Sequence, residues 1–332
     1  MAAFAVDEFR IRSLSSSTVL SYRRAVGTFV SWLSDNRLDF TSVEQLDPLI
    51  AAFRAKTEPS RSGFITLVAA LTFAWPVAKG RLPWATSLAR AYDKLTEIKF
   101  TTPLTVPALN LLARNLINRN QWRVALGLVI QFRTGLRPSE LLKLRRRDIV
   151  FTSEEERRLL QPVRETATLR LVKTKVGREQ VATIFGDEDP ELLKILHSWS
   201  KTGDSEAELI GLTYNKYRLE IAKACRAEGL SVTFTPHSAR SGFATSRFIA
   251  GESPASIQLR GRWAHQENFV RYIDQGAAAA INSAIHFRGR AIPSFAGIAD
   301  DLHGAAIRAV RSRVTRPQPH TAILQEESGD SD

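Results

Sequence analysis

The residues best suited to chemistry begin at Arg137 and Glu140, in the stretch RTGLRPSELLKLRRRDI at residues 133–149. Pro138 is favoured in the first turn of a helix, which places Arg137 at a helix N-terminus, where backbone N–H groups and the helix dipole attract an anion. Glu140 lies three positions further on, on the same face, and can hold the guanidinium in place. The pattern indicates an arginine prepared to bind an anion; an ordinary surface Arg–Glu pair is the alternative.

A second candidate is the pair His237 and Arg240 in TPHSAR, residues 235–240. Pro236 again marks a helix start, so the two side chains lie one turn apart on one face. An arginine fork matches two phosphate oxygens, and an imidazole can donate or accept a proton. This spacing also arises by chance, so the pair gains weight only beside the other motifs.

A third and a fourth candidate are the segments VKTKVGRE and GRWAHQENFVRYID. The first places Lys173 and Lys175 beside a hairpin turn, where lysines usually face solvent. The second carries Trp263 and Tyr272, which would point to opposite sides of one straight helix, so they cooperate only if the chain turns between them. A deprotonated phenol is a nucleophile toward phosphorus, but it needs cations around the phosphate and a general base. The other three motifs supply those groups.

Hydrophobic periodicity and capping residues predict the elements that must position these side chains. The first hundred residues form a small helical unit, and the segment KFTTPLTVP then interrupts the pattern with two prolines. DIVFT and ATLRLVKTKVGREQVATIF have strand composition, with residues 176–178 at the turn of a hairpin. The predicted helices cover about residues 14–36, 43–55, 61–76, 84–97, 108–117, 121–134, 190–201, 214–228, 237–250 and 254–260, with a further helix opening at RPSELLKL.

The charge balance points to an anionic partner. The chain of 332 residues has a formal net charge of +12, and nucleic acid is the simplest partner for such a balance. Its one cysteine excludes a disulfide framework and a cysteine-based zinc site, and fits a reducing compartment. The first ten residues lack a signal-peptide pattern, and the longest apolar stretch, from Gly63, is short for a membrane span. We therefore expect a soluble intracellular protein that binds no membrane.

In their order along the chain, these motifs resemble the tyrosine recombinase (phage integrase) family. TGLRPSELLKLRRRDI is similar to the family's first arginine box, TPHSARSGFAT to its His-x-x-Arg box, and RGRWAHQENFVRYI to its terminal box. The resemblance implies a mainly α fold with a small antiparallel β-sheet, arranged as a two-domain DNA clamp. The implied domains are a helical core-binding domain at 1–98, a linker at 99–107, an α+β catalytic domain at 108–290, and a C-terminal helix with a disordered acidic tail at 291–332.

The resemblance also implies roles for single residues. Tyr272 would be the nucleophile, Arg137 and Arg240 would clamp the phosphate, and Glu140 would orient the site. His237 would be the general base or a phosphate contact, and Lys175, with Lys173 as the alternative, would be the general acid. Trp263 stands where many members have a second histidine, and a subset that includes the Cre recombinase has a tryptophan there instead. Trp263 would hydrogen-bond to the phosphate or pack against it. The implied reaction would need no metal, ATP or other cofactor.

The implied partner is double-stranded DNA, cleaved through a 3′-phosphotyrosyl intermediate and rejoined with strand exchange. Recombination needs two DNA sites, so we expect a homo-oligomer, a tetramer on paired sites, with the amphipathic segment Ile298–Val314 packing on a neighbouring subunit. The expected location is intracellular and DNA-associated, in cytoplasm, nucleoid or nucleus. Further DNA contacts are expected from Lys143, Arg145, Arg146, Arg147, Lys173 and Arg262.

Three alternatives remain at this point. A type IB topoisomerase uses similar catalytic groups but reseals one strand without exchanging partners. A DNA-binding protein can keep the fold without cleaving. A basic helical nucleic-acid-binding module unrelated to integrases would need all the motifs to coincide by chance.

Overall fold

The computed structural model describes residues 8–96, 101–153, 155–156, 164–171, 179–201, 203–265, 287 and 289–314, with side chains up to 309. The chain divides into two compact units, residues 1–100 and 101–332. Each unit has its own hydrophobic core. The fold is mostly helical with one small antiparallel sheet, as predicted.

In the first unit, the described residues form the α-helices α1 Glu8–Arg12, α2 Ser16–Asp35, α3 Val43–Thr57, α4 Arg61–Ala74 and α5 Pro83–Leu95. Ser15, Ser42 and Ser60 begin α2, α3 and α4, and each serine hydroxyl accepts a backbone N–H of the first turn. The buried carboxylate of Asp47 accepts the N–H groups of Trp84 and Ala85 at 2.8 and 2.9 Å, which caps α5 from a neighbouring helix. Helix α1 buries no residue, so its sequence has no apolar periodicity from which the helix could be predicted.

The second unit contains α6 Val106–Asn118, α7 Trp122–Thr134, α8 Pro138–Lys143, α9 Pro190–Ser200, α10 Tyr214–Ala227, α11 Pro236–Ile249, α12 Pro254–Gly261 and α13 Phe295–Val314. Its strands β1 Ile149–Phe151, β2 Thr166–Leu171 and β3 Gln180–Phe185 form an antiparallel sheet in the order β1-β2-β3. Leu169 pairs with Ile149 on one side and Ala182 on the other. Alternate residues of β2 are buried, which gives the sheet one face in the core.

Part of the segment predicted as a linker is packed into the second unit. Leu104 is 1% exposed, and its N–H donates to the Ser238 carbonyl oxygen at 2.9 Å. Helix α6 begins at Val106, because Pro107 suits the first helical turn as well as it suits a loop. The boundary between the two units accordingly falls before these residues.

The C-terminal helix α13 corrects one expectation. Its apolar face, predicted to pack on a neighbouring subunit, is buried in its own chain: Ile298 and Leu302 are 0% exposed and lie in the core of the second unit. His303 is within 2.9 Å of the Ser198 hydroxyl on α9. A spacing of three or four residues shows that a helix has an apolar face, but it does not show which surface covers that face. Within the described parts of the chain, no helix combines the length and hydropathy needed to cross a bilayer.

Candidate active site

The site is built where α7 ends and α8 begins. Gly135 ends α7 in the left-handed conformation, with φ 63°. Arg137 then precedes α8, and Glu140 reaches back to it: one carboxylate oxygen accepts the Arg137 N–H at 2.8 Å, and the other accepts its Nη1 at 2.6 Å. The Glu140 side chain is 4% exposed and that of Arg137 is 26% exposed. The buried carboxylate thus holds Arg137 from the protein interior and leaves part of the guanidinium at the surface.

Arg240 enters the same place from α11. Its Nη1 donates to the Gly135 carbonyl oxygen, and its Nη2 donates to the Gly261 carbonyl oxygen at 2.8 Å. The residue is 5% exposed. Its guanidinium is therefore fixed by the C-terminal ends of α7 and α12, and it lies deeper than a surface arginine.

Trp263 lies against Arg240. The Arg240 Cζ is 4.4 Å from the centroid of the Trp263 ring, and Phe243 stacks on the same ring system at 6.3 Å. A Cβ at Gly261 would overlap the indole, so only glycine leaves room for the ring in this position. In this structure the indole packs against the Arg240 guanidinium, and the expected contact of Trp263 with the phosphate stays a prediction.

Arg262 is the residue whose place differs most from expectation. It was predicted to contact DNA, but its side chain is 6% exposed and its Nη2 lies 3.2 Å from Glu140 Oε2. The same Nη2 donates to the Gly135 carbonyl oxygen at 3.3 Å. A buried guanidinium in these contacts is not presented to a DNA backbone, so the prediction for Arg262 is wrong. Sequence reasoning missed the correct role because the partner residues are more than 120 positions away.

The charges of the cluster contribute to the pKa shifts of Glu140 and His237. Burial raises the pKa of Glu140, but the Arg137 N–H, the Arg262 charge and the Arg137 side chain together outweigh burial and hold that pKa below its ordinary value. His237 lies at the start of α11 with part of its side chain exposed. Partial burial, followed by the charges of Arg240 and Arg137, lowers its pKa from 6.5. The site therefore combines an ionised carboxylate, a neutral imidazole and an excess of positive charge, a combination suited to binding a phosphodiester.

A buried polar network supports the turn between α7 and α8 on its interior side. The Tyr217 hydroxyl donates to Gln131 Oε1 at 2.7 Å, and Gln131 Nε2 donates to the Leu136 carbonyl oxygen at 3.0 Å. Burial raises the pKa of Tyr217 well above 10.0. Tyr217 is thus a structural hydroxyl that holds the loop between α7 and α8, and nothing in its local sequence indicated this.

The sequence profile of the phage integrase family matches residues 99–278, more than half of the chain. The chain belongs to the phage integrase family. No curated protein sequence matches it.

Solved integrase structures share the fold of this family member at low sequence identity. A lambda integrase dimer bound to a COC′ core site is 16% identical, with 86% of this chain and 93% of that chain covered and a TM-score of 0.56. The Tn1549 transposon integrase in complex with transposon right end DNA is 18% identical, with coverage of 86% and 100% and a TM-score of 0.55. The XerH site-specific recombinase in a post-cleavage complex with palindromic difH is 15% identical, with coverage of 82% and 80% and a TM-score of 0.54.

The basic run of this integrase-family chain divides into two kinds of residue. Arg146 is 3% exposed and its Cζ lies 4.2 Å from the Trp199 ring centroid, so the prediction that it contacts DNA is wrong: the turn after α8 directs it into the core. Lys143, Arg145 and Arg147 are exposed. Arg145 and Arg147 both pair with Glu206, Arg145 at 2.6 Å. These three residues remain predicted DNA contacts.

The predicted nucleophile and general acid lie outside the described residues. This applies to Tyr272, to Lys175 and to its alternative Lys173. Among the described residues, no group of three His, Cys, Asp or Glu side chains is placed to hold a metal ion. Of the predicted constellation, the described residues therefore include Arg137, Glu140, His237, Arg240 and Trp263, which were predicted to surround the phosphate, and the structure adds Arg262 to them.

Proposed function

We propose that the protein is a site-specific DNA recombinase that cuts and rejoins DNA through a 3′-phosphotyrosyl ester of Tyr272. The observation that carries the proposal is the linked arginine pair: Arg137 and Arg240 meet through Glu140 and the Gly135 carbonyl, with Arg262 bonded to both acceptors. Family membership supports it, as do fold relatives solved in complex with DNA.

In the proposed reaction, the Tyr272 oxygen attacks phosphorus and the bond to the 5′-oxygen breaks. His237 accepts the phenol proton or contacts the phosphate, and Lys175 or Lys173 gives a proton to the leaving oxygen. Arg137 and Arg240 stabilise the charge that gathers on the non-bridging oxygens. The reverse attack by a 5′-hydroxyl from another strand restores a phosphodiester and frees the tyrosine, so the bond energy is conserved.

Trapping of the covalent intermediate tests this proposal. Wild-type protein, Tyr272→Phe and Tyr214→Phe are each incubated with a nicked-duplex pool of random sequence and denatured in SDS. Tyr214 is the matched control, since it is 42% exposed at the start of α10. We expect protease-sensitive protein–DNA adducts from the wild type and Tyr214→Phe, and none from Tyr272→Phe. Adducts that persist in Tyr272→Phe, or none from the wild type, would reject the assignment.

Strand exchange requires a second experiment, because cleavage alone also fits a topoisomerase. The DNA trapped in the adducts is sequenced, cloned in two copies on one plasmid, and incubated with the protein. Deletion or inversion between the copies supports recombination, whereas relaxation of supercoils without exchange supports strand passage. We further propose a tetramer on paired sites. Its mass, measured by sedimentation with and without the cloned DNA, tests that assembly.

A further inference from the structure

Arg262 combines two unfavourable features. It is a non-glycine residue in the left-handed region, with φ 58° and ψ 43°, at the end of α12. An L-amino acid pays a steric penalty there that glycine avoids. Its charged side chain is also buried, and among the described residues its Nε has no hydrogen-bond partner. A helix end alone needs neither feature, because a glycine at this position would end α12 without strain.

Three of the four hydrogen bonds of the Arg262 guanidinium lead to the turn at residues 134–140. Nη2 donates to Glu140 Oε2 at 3.2 Å and to the Gly135 carbonyl oxygen at 3.3 Å. Nη1 donates to the Arg260 carbonyl oxygen at 3.1 Å and reaches the Thr134 carbonyl oxygen at 3.5 Å. Arg262 therefore connects the end of α12 to the end of α7 and to the first turn of α8.

Two of these acceptors also hold the phosphate-binding arginines. Glu140 uses Oε1 for the Arg137 side chain, and it shares Oε2 between the Arg137 N–H and Arg262. The Gly135 carbonyl oxygen accepts from both Arg240 and Arg262. Without Arg262, the carboxylate would lose its second cation and be freer to rotate away from Arg137. The Gly135 carbonyl would lose one of its two side-chain donors.

We propose that Arg262 is a positioning residue for DNA cleavage, which orients Glu140 toward Arg137 and fixes the Gly135 carbonyl that receives Arg240. This rests on the proposed function, in which Arg137 and Arg240 bind the scissile phosphate. Arg262 itself does not touch the DNA. Its effect is on the rate of cleavage, with little effect on DNA affinity.

The test compares Arg262→Gly with Arg37→Gly. Glycine keeps the left-handed backbone at both positions, and Arg37, with φ 53°, is exposed in the first unit. We expect Arg262→Gly to form covalent adduct on the order of 100-fold more slowly than wild type, as for a displaced catalytic group, and Arg37→Gly to match wild type. Added methylguanidine should restore part of the rate. Arg262→Lys should restore little, because an ammonium lacks the two-donor fork.

The pH profile separates positioning from a merely structural role. Arg262 helps hold the pKa of Glu140 low, so Arg262→Gly should move the acidic limb of the cleavage profile to higher pH. A variant that cleaves like wild type, or one that is slowed without a pH shift and without rescue by methylguanidine, would overturn the proposal. If Arg262→Gly does not fold, Arg262→Gln, which also removes the charge beside Glu140, is judged by the same profile.

A double-mutant cycle keeps this inference distinct from the proposed function. Urea unfolding of wild type, Arg262→Gly, Glu140→Gln and the double variant measures the coupling between the two side chains without any DNA. If the wild type forms no adduct, the proposed function fails, and the cycle still decides whether Arg262 holds Glu140. Absence of coupling in the cycle would overturn the positioning role whatever the cleavage assay shows.

Discussion

The guanidinium of Arg240 lies over the indole of Trp263, with Cζ 4.4 Å from the ring centroid. The edges of the guanidinium are engaged by the carbonyl oxygens of Gly135 and Gly261, so the ring supports the face that hydrogen bonds leave open. A flat aromatic surface suits this task, since the ring attracts the cation without competing for its N–H groups. Trp263 thereby helps to fix the plane of the Arg240 guanidinium, which would bind the phosphate in the proposed reaction.

The first prediction concerns this stack. Trp263→Ala should lower the free energy of unfolding by about 3–5 kcal/mol, as for other large buried aromatic residues, and should slow adduct formation because Arg240 loses its support. Trp263→Phe retains an aromatic face and should lose much less of both. Urea unfolding and the trapping assay measure the two effects. Equal cleavage rates for the two variants would contradict a role for the ring in orienting Arg240.

The second prediction concerns Gly135, whose carbonyl oxygen accepts from two arginines. Gly135→Ala places a methyl group at φ 63° and 2.7 Å from Phe243 Cδ1. Gly229→Ala is the matched control, with φ 60° and no atom within 4 Å of the added Cβ. Both should lose about 1–2 kcal/mol from the left-handed backbone, and Gly135→Ala should lose more because of the overlap with Phe243. Equal losses of unfolding free energy for the two variants would show that Phe243 or the turn shifts to accommodate the added methyl group.

The third prediction concerns the titration of His237. Partial burial and then the charges of Arg240 and Arg137 hold its pKa below 6.5. In an NMR titration its midpoint should lie below that value, and Arg137→Gln should raise it, because one repelling charge is removed. The folded protein binds this proton less readily than the unfolded chain, so His237 reduces stability as pH falls below about 6.5. A titration midpoint of His237 that is unchanged in Arg137→Gln would show that the charge of Arg137 does not affect the imidazole.

The fourth prediction concerns Asp189, next to α9. Burial raises its pKa from 3.8 to about 6, although its carboxylate lies 3.1 Å from Arg133 Nε. The folded state therefore holds this proton more tightly than the unfolded chain. The contribution of Asp189 to stability is fully present below pH 3.8 and is lost as pH rises to about 6. The wild type should lose stability relative to Asp189→Asn over that window.

The neighbouring Glu188 is the control, because its contribution to stability should change with pH in the opposite direction. Hydrogen bonds from Arg260, opposed by burial and aided by Arg247, lower its pKa from 4.5 to about 2. Its contribution is present above pH 4.5 and is lost as pH falls toward 2. The wild type should therefore gain stability relative to Glu188→Gln as pH rises to 4.5. Urea unfolding across these pH ranges checks both directions. If the free energy of unfolding, relative to wild type, changed with pH in the same direction for both variants, the opposite pKa shifts of Asp189 and Glu188 would be contradicted.

Much of the local structure was predictable because its causes are local. Pro138, Pro236 and Pro254 each mark the first turn of a helix, where a missing N–H costs nothing. The same local rules placed Arg137 beside Glu140. The strand composition of ATLRL predicted a strand, as observed in β2, where the structure shows alternate residues buried. Regular spacing and the residues at element ends carried this information.

Only the tertiary structure decided which charged residues are buried and what they bind. Arg145, Arg146 and Arg147 form one basic run, yet Arg146 lies in the core. Arg240 reaches Gly135 across 105 positions, and Arg262 reaches Glu140 across 122. Spacing along one helix fixes a face, whereas these contacts depend on how separate helices pack. The sequence by itself therefore determined most of the elements and the candidate phosphate ligands. The packing of α7, α8, α11 and α12 decided that a third arginine holds them together, because a buried cation is stable only where folding supplies its partners.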